Sequence, residues 1–86
     1  MYAYDIDEEL VSKLKKLAKR DKSLYMAVEK KILRIAEDPY LGKTLSNVLK
    51  GKRRVHIGHF VLIYEIDERE CKVIFLEFGH HDEVYK

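Results

Sequence analysis

The chain has 86 residues, of which 47% are hydrophobic and 37% are charged, and its formal net charge at pH 7 is only +2. This length supports a single modest core, so we expect residues 1–86 to form one domain, and the hydrophobic fraction excludes a disordered chain. A membrane-spanning helix is also excluded, because every apolar run is far shorter than the roughly 20 residues that cross a bilayer.

The single cysteine, Cys71, excludes an intramolecular disulfide and fits a reducing compartment. It falls in an alternating apolar pattern, which predicts a small buried side chain rather than a nucleophile. Acidic residues begin at Asp5, too early for a signal peptide. We therefore expect a cytoplasmic protein with no membrane partner.

The N-terminal segment predicts a strand and then a helix. Residues 2–6 are short and aromatic, as in a strand. Apolar residues at helical spacing then predict an amphipathic helix over residues 8–20. Asp5 resembles the cap residue of a capping box, and Asp7 is the alternative N-cap.

A second amphipathic helix is predicted to begin at Asp21 or Ser23, either of which is a suitable N-cap. It ends at about Asp38, because the residue before a proline, here Pro39, disfavours the α-helical backbone conformation. A short connection makes the two helices an antiparallel hairpin. The cationic residues on both helices are predicted to be a solvated surface.

The second half of the chain predicts three strands joined by short turns, after an irregular connection over residues 40–51. The predicted strands are residues 52–57, 60–66 and 71–78, and the turns are Gly58-His59 and residues 67–70. Short connections make these strands antiparallel neighbours, and the tail is too short for a substantial helix. The predicted class is α+β: an N-terminal strand, a two-helix hairpin and a three-stranded antiparallel meander, with the helices on one face.

A dense cationic row lies on the first strand of this meander. Alternation gives two rows, Lys52, Arg54 and His56 on one face, and Arg53, Val55 and Ile57 on the other. No carboxylate interrupts this stretch before Glu65, which suggests an anionic ligand. We expect Arg54 and His56 to face away from the helices, within reach of the C-terminal tail.

All four histidines of the chain lie in two short segments: His56 and His59 in one, and His80 and His81 in the other. A zinc site is disfavoured because His80 and His81 are adjacent, so we expect no metal and no cofactor. The role of Tyr85 is open between docking of the tail and contact with a substrate. Tyr64 is predicted to be a core residue.

Several short motifs carry a family resemblance. Leu49-Lys-Gly51, Arg54-Val-His-Ile-Gly58 before a strand that ends at Tyr64, and Gly79-His-His-Asp-Glu-Val-Tyr85 resemble the RelE/ParE toxin superfamily. The two helices ahead of the sheet, and Asp38-Pro39 followed by Leu45 and Leu49, are similar to that superfamily too. The similarity covers essentially the whole chain, which would be a single RelE-like toxin domain.

The resemblance implies a toxin of a type II toxin–antitoxin system. RelE-type members cleave messenger RNA in the ribosomal A site, without a metal, by attack of a ribose 2′-hydroxyl on the adjacent phosphate. ParE-type members share the fold and poison DNA gyrase instead. The implied partners are therefore a small cognate RelB-like antitoxin and, for the RelE type, messenger RNA and the ribosome.

The same resemblance implies roles for individual residues. The candidate catalytic residues are Arg54 and His56 at the phosphate, His81 as the late basic residue, and Tyr85 for base stacking or proton transfer. The candidate phosphate-binding residues are Lys52, Arg53, His59 and His80. The unperturbed pKa of histidine lies near neutral pH, so the four histidines allow a scheme of general acid and base catalysis.

Two positions depart from the family pattern, because Val61 and His81 stand where the family usually has arginine. The loss of two guanidiniums weakens a phosphate clamp. Three functions therefore remain: a ribosome-dependent endoribonuclease, a ParE-like gyrase inhibitor, and a degenerate member that only binds an antitoxin or RNA. A close cluster of His56, His81 and Tyr85 favours the enzyme.

Overall fold

The computed structural model describes residues 1–45 and 51–84. The elements are β1 (Ala3–Ile6), α1 (Glu8–Arg20), α2 (Lys22–Glu37), a 3₁₀ turn (Pro39–Leu41), β2 (Lys43–Thr44), β3 (Lys52–Ile57), β4 (Phe60–Asp67), β5 (Lys72–His80) and α3 (His81–Val84). The strands form a five-stranded sheet in the order β1-β5-β4-β3-β2. The predicted α+β class, with two helices ahead of an antiparallel meander, is confirmed.

Both helices begin at an aspartate. The Asp7 side chain accepts a hydrogen bond from the Glu9 backbone N–H at 3.2 Å, and Asp21 accepts one from Leu24 at 3.1 Å. These carboxylates satisfy amide groups that have no partner inside the helix. No helix in the described residues is long and apolar enough to cross a membrane.

The core lies between the helical pair and one face of the sheet, as predicted. The buried residues of this core come from both helices and three strands: Leu10, Leu14, Val28, Ile32, Ile35, Val55, Leu62, Tyr64, Val73, Phe75 and Phe78. Val55 is the buried member of β3, so the neighbouring Arg54 and His56 lie on the opposite face. The helices therefore leave the cationic row uncovered.

The prediction of Asp5 as a capping residue was wrong. Asp5 lies in β1, and its carboxylate forms an ion pair with Lys72 of β5 at 2.9 Å. The two strands run parallel, with Ala3 opposite Lys72 and Ile6 opposite Phe75. Asp5 therefore stabilises the contact between the first and last strands.

The prediction of Cys71 as a buried strand residue was also wrong. Cys71 is exposed and lies in the turn before β5, which begins at Lys72. Its φ is 50°, so it occupies the left-handed region that non-glycine residues rarely adopt. The turn needs this conformation to reverse the chain, and the alternating pattern therefore starts one residue later than predicted.

Tyr64 fixes the connection between α2 and β3, and its prediction as a core residue is confirmed. It is fully buried. Its hydroxyl donates to the Pro39 carbonyl at 2.7 Å and accepts from the Gly42 N–H at 2.9 Å. Burial raises the pKa of Tyr64 above 10.0. The predicted anchors Val48 and Leu49 of this connection lie outside the described residues.

Candidate active site

All four histidines line one hollow beside the turn between β3 and β4. This hollow has a volume of about 390 Å³ and is lined by His56, Gly58, His59, His80, His81 and Asp82. The tight turn depends on Gly58, whose φ of 62° favours glycine. The His81 backbone N–H donates to the His59 carbonyl at 3.0 Å. This bond brings the end of β5 against the turn.

His56 and His81 form the central pair of the hollow. Their ring centroids are 6.1 Å apart and the ring planes differ by 16°, so the imidazoles stack. The sheet register explains the pairing, since His56 lies opposite Val61 and Val61 lies opposite Gly79, two residues before His81. The predicted approach of His81 to the β3 row is confirmed.

Arg54 approaches His56 along the same face of β3. The Arg54 Nη1 atom lies within hydrogen-bonding distance of the His56 Nε2 atom. A guanidinium can only donate, so His56 Nε2 accepts and the ring is neutral. Partial desolvation lowers the pKa of His56 below 6.5, and electrostatic interactions with Arg54, His81 and Lys43 lower it further. These interactions therefore favour the basic, uncharged form of His56.

His59 and His80 form a second pair on the other side of the hollow. Their ring centroids are 6.3 Å apart, and the planes differ by 22°. Asp82 connects the two pairs, because one carboxylate oxygen lies 3.6 Å from Nδ1 of His81 and the other lies 3.8 Å from Nδ1 of His80. Asp82 was not predicted as a site residue, although its position directly after the two histidines was the available signal.

Two predicted cations lie away from this hollow. Arg53 points to the helix side of β3, where its Nη1 donates to the Gly42 carbonyl at 2.8 Å and its guanidinium lies 5.0 Å from the centre of the Tyr40 ring. Lys52 lies opposite Glu65 at the other end of β3. The structure thus gives Arg53 a structural contact and keeps Lys52 distant from the imidazoles.

Of the two remaining positions singled out from the sequence, the structure describes Val61 but not Tyr85. Tyr85 lies outside the described residues. Val61, where the resemblance implies an arginine, is fully buried between the strands that carry the paired histidines. In residues 1–45 and 51–84, no three histidine, cysteine, aspartate or glutamate side chains gather in a way that could hold a metal ion.

The same fold occurs in solved toxins. The isolated RelE toxin of E. coli superposes with a TM-score of 0.79 at 20% identity, over 99% of this chain and 92% of that chain. The structure of the RelBE2 toxin–antitoxin complex from Mycobacterium tuberculosis contains a chain with a TM-score of 0.78 at 26% identity. That match covers 93% of this chain and 98% of the other.

The sequence places the chain within this class. Residues 4–85 match the family described as the ParE toxin of the type II toxin–antitoxin system parDE, and the chain belongs to that family. It is therefore a toxin of a type II toxin–antitoxin system with the RelE/ParE fold. A candidate toxin of Methanocaldococcus jannaschii named RelE4 is 42% identical over 87 residues, which covers 100% of this chain and 93% of the relative.

Proposed function

We propose that this toxin is an endoribonuclease that cleaves messenger RNA in the ribosomal A site, within the cytoplasm. The observation that supports this proposal is the stacking of His56 on His81 with Arg54 beside it. Cleavage by a ribose 2′-hydroxyl needs a base for that hydroxyl, a cation for the phosphorane and an acid for the leaving 5′-oxygen. These three groups supply one candidate for each role.

In the proposed reaction, His56 is the general base. Its neutral imidazole takes the proton of the 2′-hydroxyl, and the resulting alkoxide attacks the adjacent phosphorus. In the free protein its Nε2 atom is the acceptor for Arg54. A bound phosphate competes for the Arg54 guanidinium, because a charge-assisted bond to an anion is stronger than one to a neutral ring nitrogen. Substrate binding would thereby release the lone pair that accepts the proton.

His81 is the proposed general acid, which protonates the leaving 5′-oxygen as the phosphorus–oxygen bond breaks. The Asp82 carboxylate lies 3.6 Å from Nδ1 of His81 and is close enough to orient its ring. The products of this step are a 2′,3′-cyclic phosphate and a 5′-hydroxyl. Tyr85 is proposed to stack on a base or to assist a proton transfer, while His59 and His80 contact flanking phosphates. The scheme uses no metal and no cofactor.

Primer extension on a reporter transcript tests this proposal after induced expression of the toxin. We expect in-frame cuts with the wild type, and their loss with His56→Ala or His81→Ala. Lys30→Ala, which removes an exposed charge on α2, is the control that keeps the cuts. Growth arrest without any cut would overturn the proposed nuclease activity.

Gyrase inhibition is the second candidate function. It is favoured by Val61, which puts a fully buried apolar side chain where the resemblance implies an arginine. The match to the ParE toxin family also favours it. A supercoiling assay with purified DNA gyrase separates the two functions, since a gyrase poison leaves linear or relaxed DNA and intact transcripts.

We also propose that a small RelB-like antitoxin binds the groove between the helical hairpin and the ends of β4 and β5. This groove has a volume of about 400 Å³. Its apolar lining residues are Leu17, Leu24, Phe60 and Phe78. Its three basic lining residues, Lys13, Lys16 and Arg20, outnumber the two acidic ones, Asp21 and Glu83. Such a lining fits an amphipathic helix with acidic residues along one side. His80 borders both the groove and the histidine hollow, so an occupant would restrict access to the proposed active site.

The antitoxin surface is tested with the protein encoded beside the toxin. We expect Lys16→Glu/Arg20→Glu to weaken the complex in isothermal titration, because both substitutions oppose an acidic partner. Lys22→Glu/Lys30→Glu, which changes two exposed charges outside the groove, is the matched control. Equal affinities for the two double variants would place the antitoxin elsewhere.

A further inference from the structure

We infer that a second cavity, next to Arg54, binds a backbone phosphate of RNA outside the position of cleavage. This inference deepens the proposed endoribonuclease function and rests on it. The cavity has a volume of about 390 Å³, within the range of roughly 300–1,000 Å³ that is usual for ligand sites. Five basic or imidazole residues line it: Lys31, Arg34, Lys43, Arg54 and His56.

The cavity forms where α2 passes the edge of β3. The two-residue strand β2 pairs with β3 only at Arg53 and Arg54, so it covers only part of that edge. Lys31 and Arg34 are three residues apart on α2 and therefore share one side of the helix. Both residues line the cavity beside β3. Two elements from distant parts of the sequence thus place basic residues around the same space.

The positive charge in this cavity is not balanced within the described residues. Lys43 and Arg54 lie directly opposite each other in the antiparallel pair, an arrangement of like charges that destabilises a sheet. In residues 1–45 and 51–84, no carboxylate lines the cavity or forms an ion pair with one of its cations. An anion bound at this edge of the sheet would relieve this repulsion.

The position of the cavity favours an RNA phosphate over an acidic peptide. His56 lines both this cavity and the histidine hollow, and Arg54 contacts His56. A nucleic acid strand with its scissile phosphate at His56 and His81 would place a neighbouring phosphate beside Lys31 and Lys43. A continuous polyanion therefore accounts for both sites with one ligand.

Fluorescence anisotropy with a labelled, fully 2′-O-methylated single-stranded RNA tests this inference, because that probe binds but has no 2′-hydroxyl for cleavage. We compare Lys31→Ala/Arg34→Ala with the control Lys22→Ala/Lys30→Ala, which removes the same charge from exposed positions of α2 outside the cavity. We expect the first variant to weaken binding by roughly five- to tenfold at low salt, against little change for the control. Its salt dependence should fall by roughly 0.7 in slope for each phosphate that the variant no longer neutralises.

Equal affinities and equal salt slopes for the two double variants would overturn the inference, and so would a wild type that does not bind the probe. Weakened binding of the antitoxin alone, with unchanged RNA affinity, would assign the cavity to an acidic peptide and overturn it as well. Thermal unfolding of both variants checks that their folds are intact. A toxin that binds the probe through this cavity but leaves ordinary transcripts uncut would refute only the proposed cleavage.

Discussion

The Arg54 guanidinium lies against the Nε2 atom of His56, two residues along the same face of β3. This contact and the positive charge around it keep the imidazole neutral, after partial desolvation has already lowered its pKa below 6.5. In the proposed reaction, Arg54 both disfavours protonation of His56 and binds the substrate's phosphate. The affinity for the phosphate and the basicity of His56 are therefore coupled.

This coupling predicts the effect of Arg54→Gln. We expect the pKa of His56 to rise toward 6.5, because the variant removes a positive charge that disfavours the imidazolium. The measurement is an NMR titration of the His56 ring protons in the free protein. Lys30→Gln is the control for a general change in net charge. An unchanged pKa in the Arg54 variant would show that the guanidinium does not act on this ring.

The pH dependence of cleavage follows from the same contact. In the proposed role of base, His56 must be unprotonated. We therefore expect kcat/KM to fall as the pH drops through the pKa of His56 in the free protein. Because that pKa is lowered, we expect the acid limb of the wild-type profile to lie below pH 6.5. Arg54→Gln should move this limb to higher pH as well as reduce the rate. A limb that does not move would assign the titration to another group.

Tyr64→Phe is expected to destabilise the protein by about 1–3 kcal/mol. The substitution leaves the buried Gly42 N–H and Pro39 carbonyl without their partner, the Tyr64 hydroxyl. Urea unfolding measures the change. Tyr25→Phe is the matched control, since its hydroxyl donates to the exposed Glu29 side chain, and it should cost little.

Gly42→Ala tests the same connection by adding an atom. A Cβ at this position would lie 2.6 Å from the Arg54 carbonyl oxygen and 2.7 Å from the Tyr64 hydroxyl oxygen. Because the first of these is backbone, the strand must shift, and we expect a loss of about 1–3 kcal/mol in unfolding free energy. A variant as stable as the wild type would contradict this close approach.

Substitutions of Cys71 test whether this residue lies in an exposed turn or is buried, because the two cases predict opposite changes in stability. With a φ of 50° in an exposed turn, Cys71→Gly should leave the protein equally stable or stabilise it by up to about 1 kcal/mol. Cys71→Val should destabilise it, because β-branched residues tolerate this region poorly. A buried cysteine would give the reverse order. Urea unfolding of the two variants distinguishes the cases.

The helices and the meander were predictable because their signals are local. Apolar spacing defined α1 and α2, and alternation in β3 placed Arg54 and His56 on one face and Val55 on the other. The turn at Gly58 followed from the need for positive φ. Periodicity records which residues share a face, and this was sufficient for the order of these elements.

Other features depend on contacts between distant segments and left no local signal. The two residues of β2 are too few to show a period, so the pairing of Lys43 with Arg54 was missed. The parallel pairing of β1 with β5 was likewise not predicted. In the candidate site, the approach of His81 to His56 was predicted, but the cations of α2 were interpreted only as a solvated surface.

The parallel pairing of β1 with β5 has a consequence for the order of folding. It joins residues 3 and 72, whereas β3, β4 and β5 are consecutive strands linked by short turns. Loop closure over a longer stretch of chain costs more entropy, so we expect the meander to form first and β1 to add late. The ends of β3 and β5 that carry His56 and His81 would then meet before the sheet is complete. A newly made chain would then acquire its candidate active site while its first strand is still undocked.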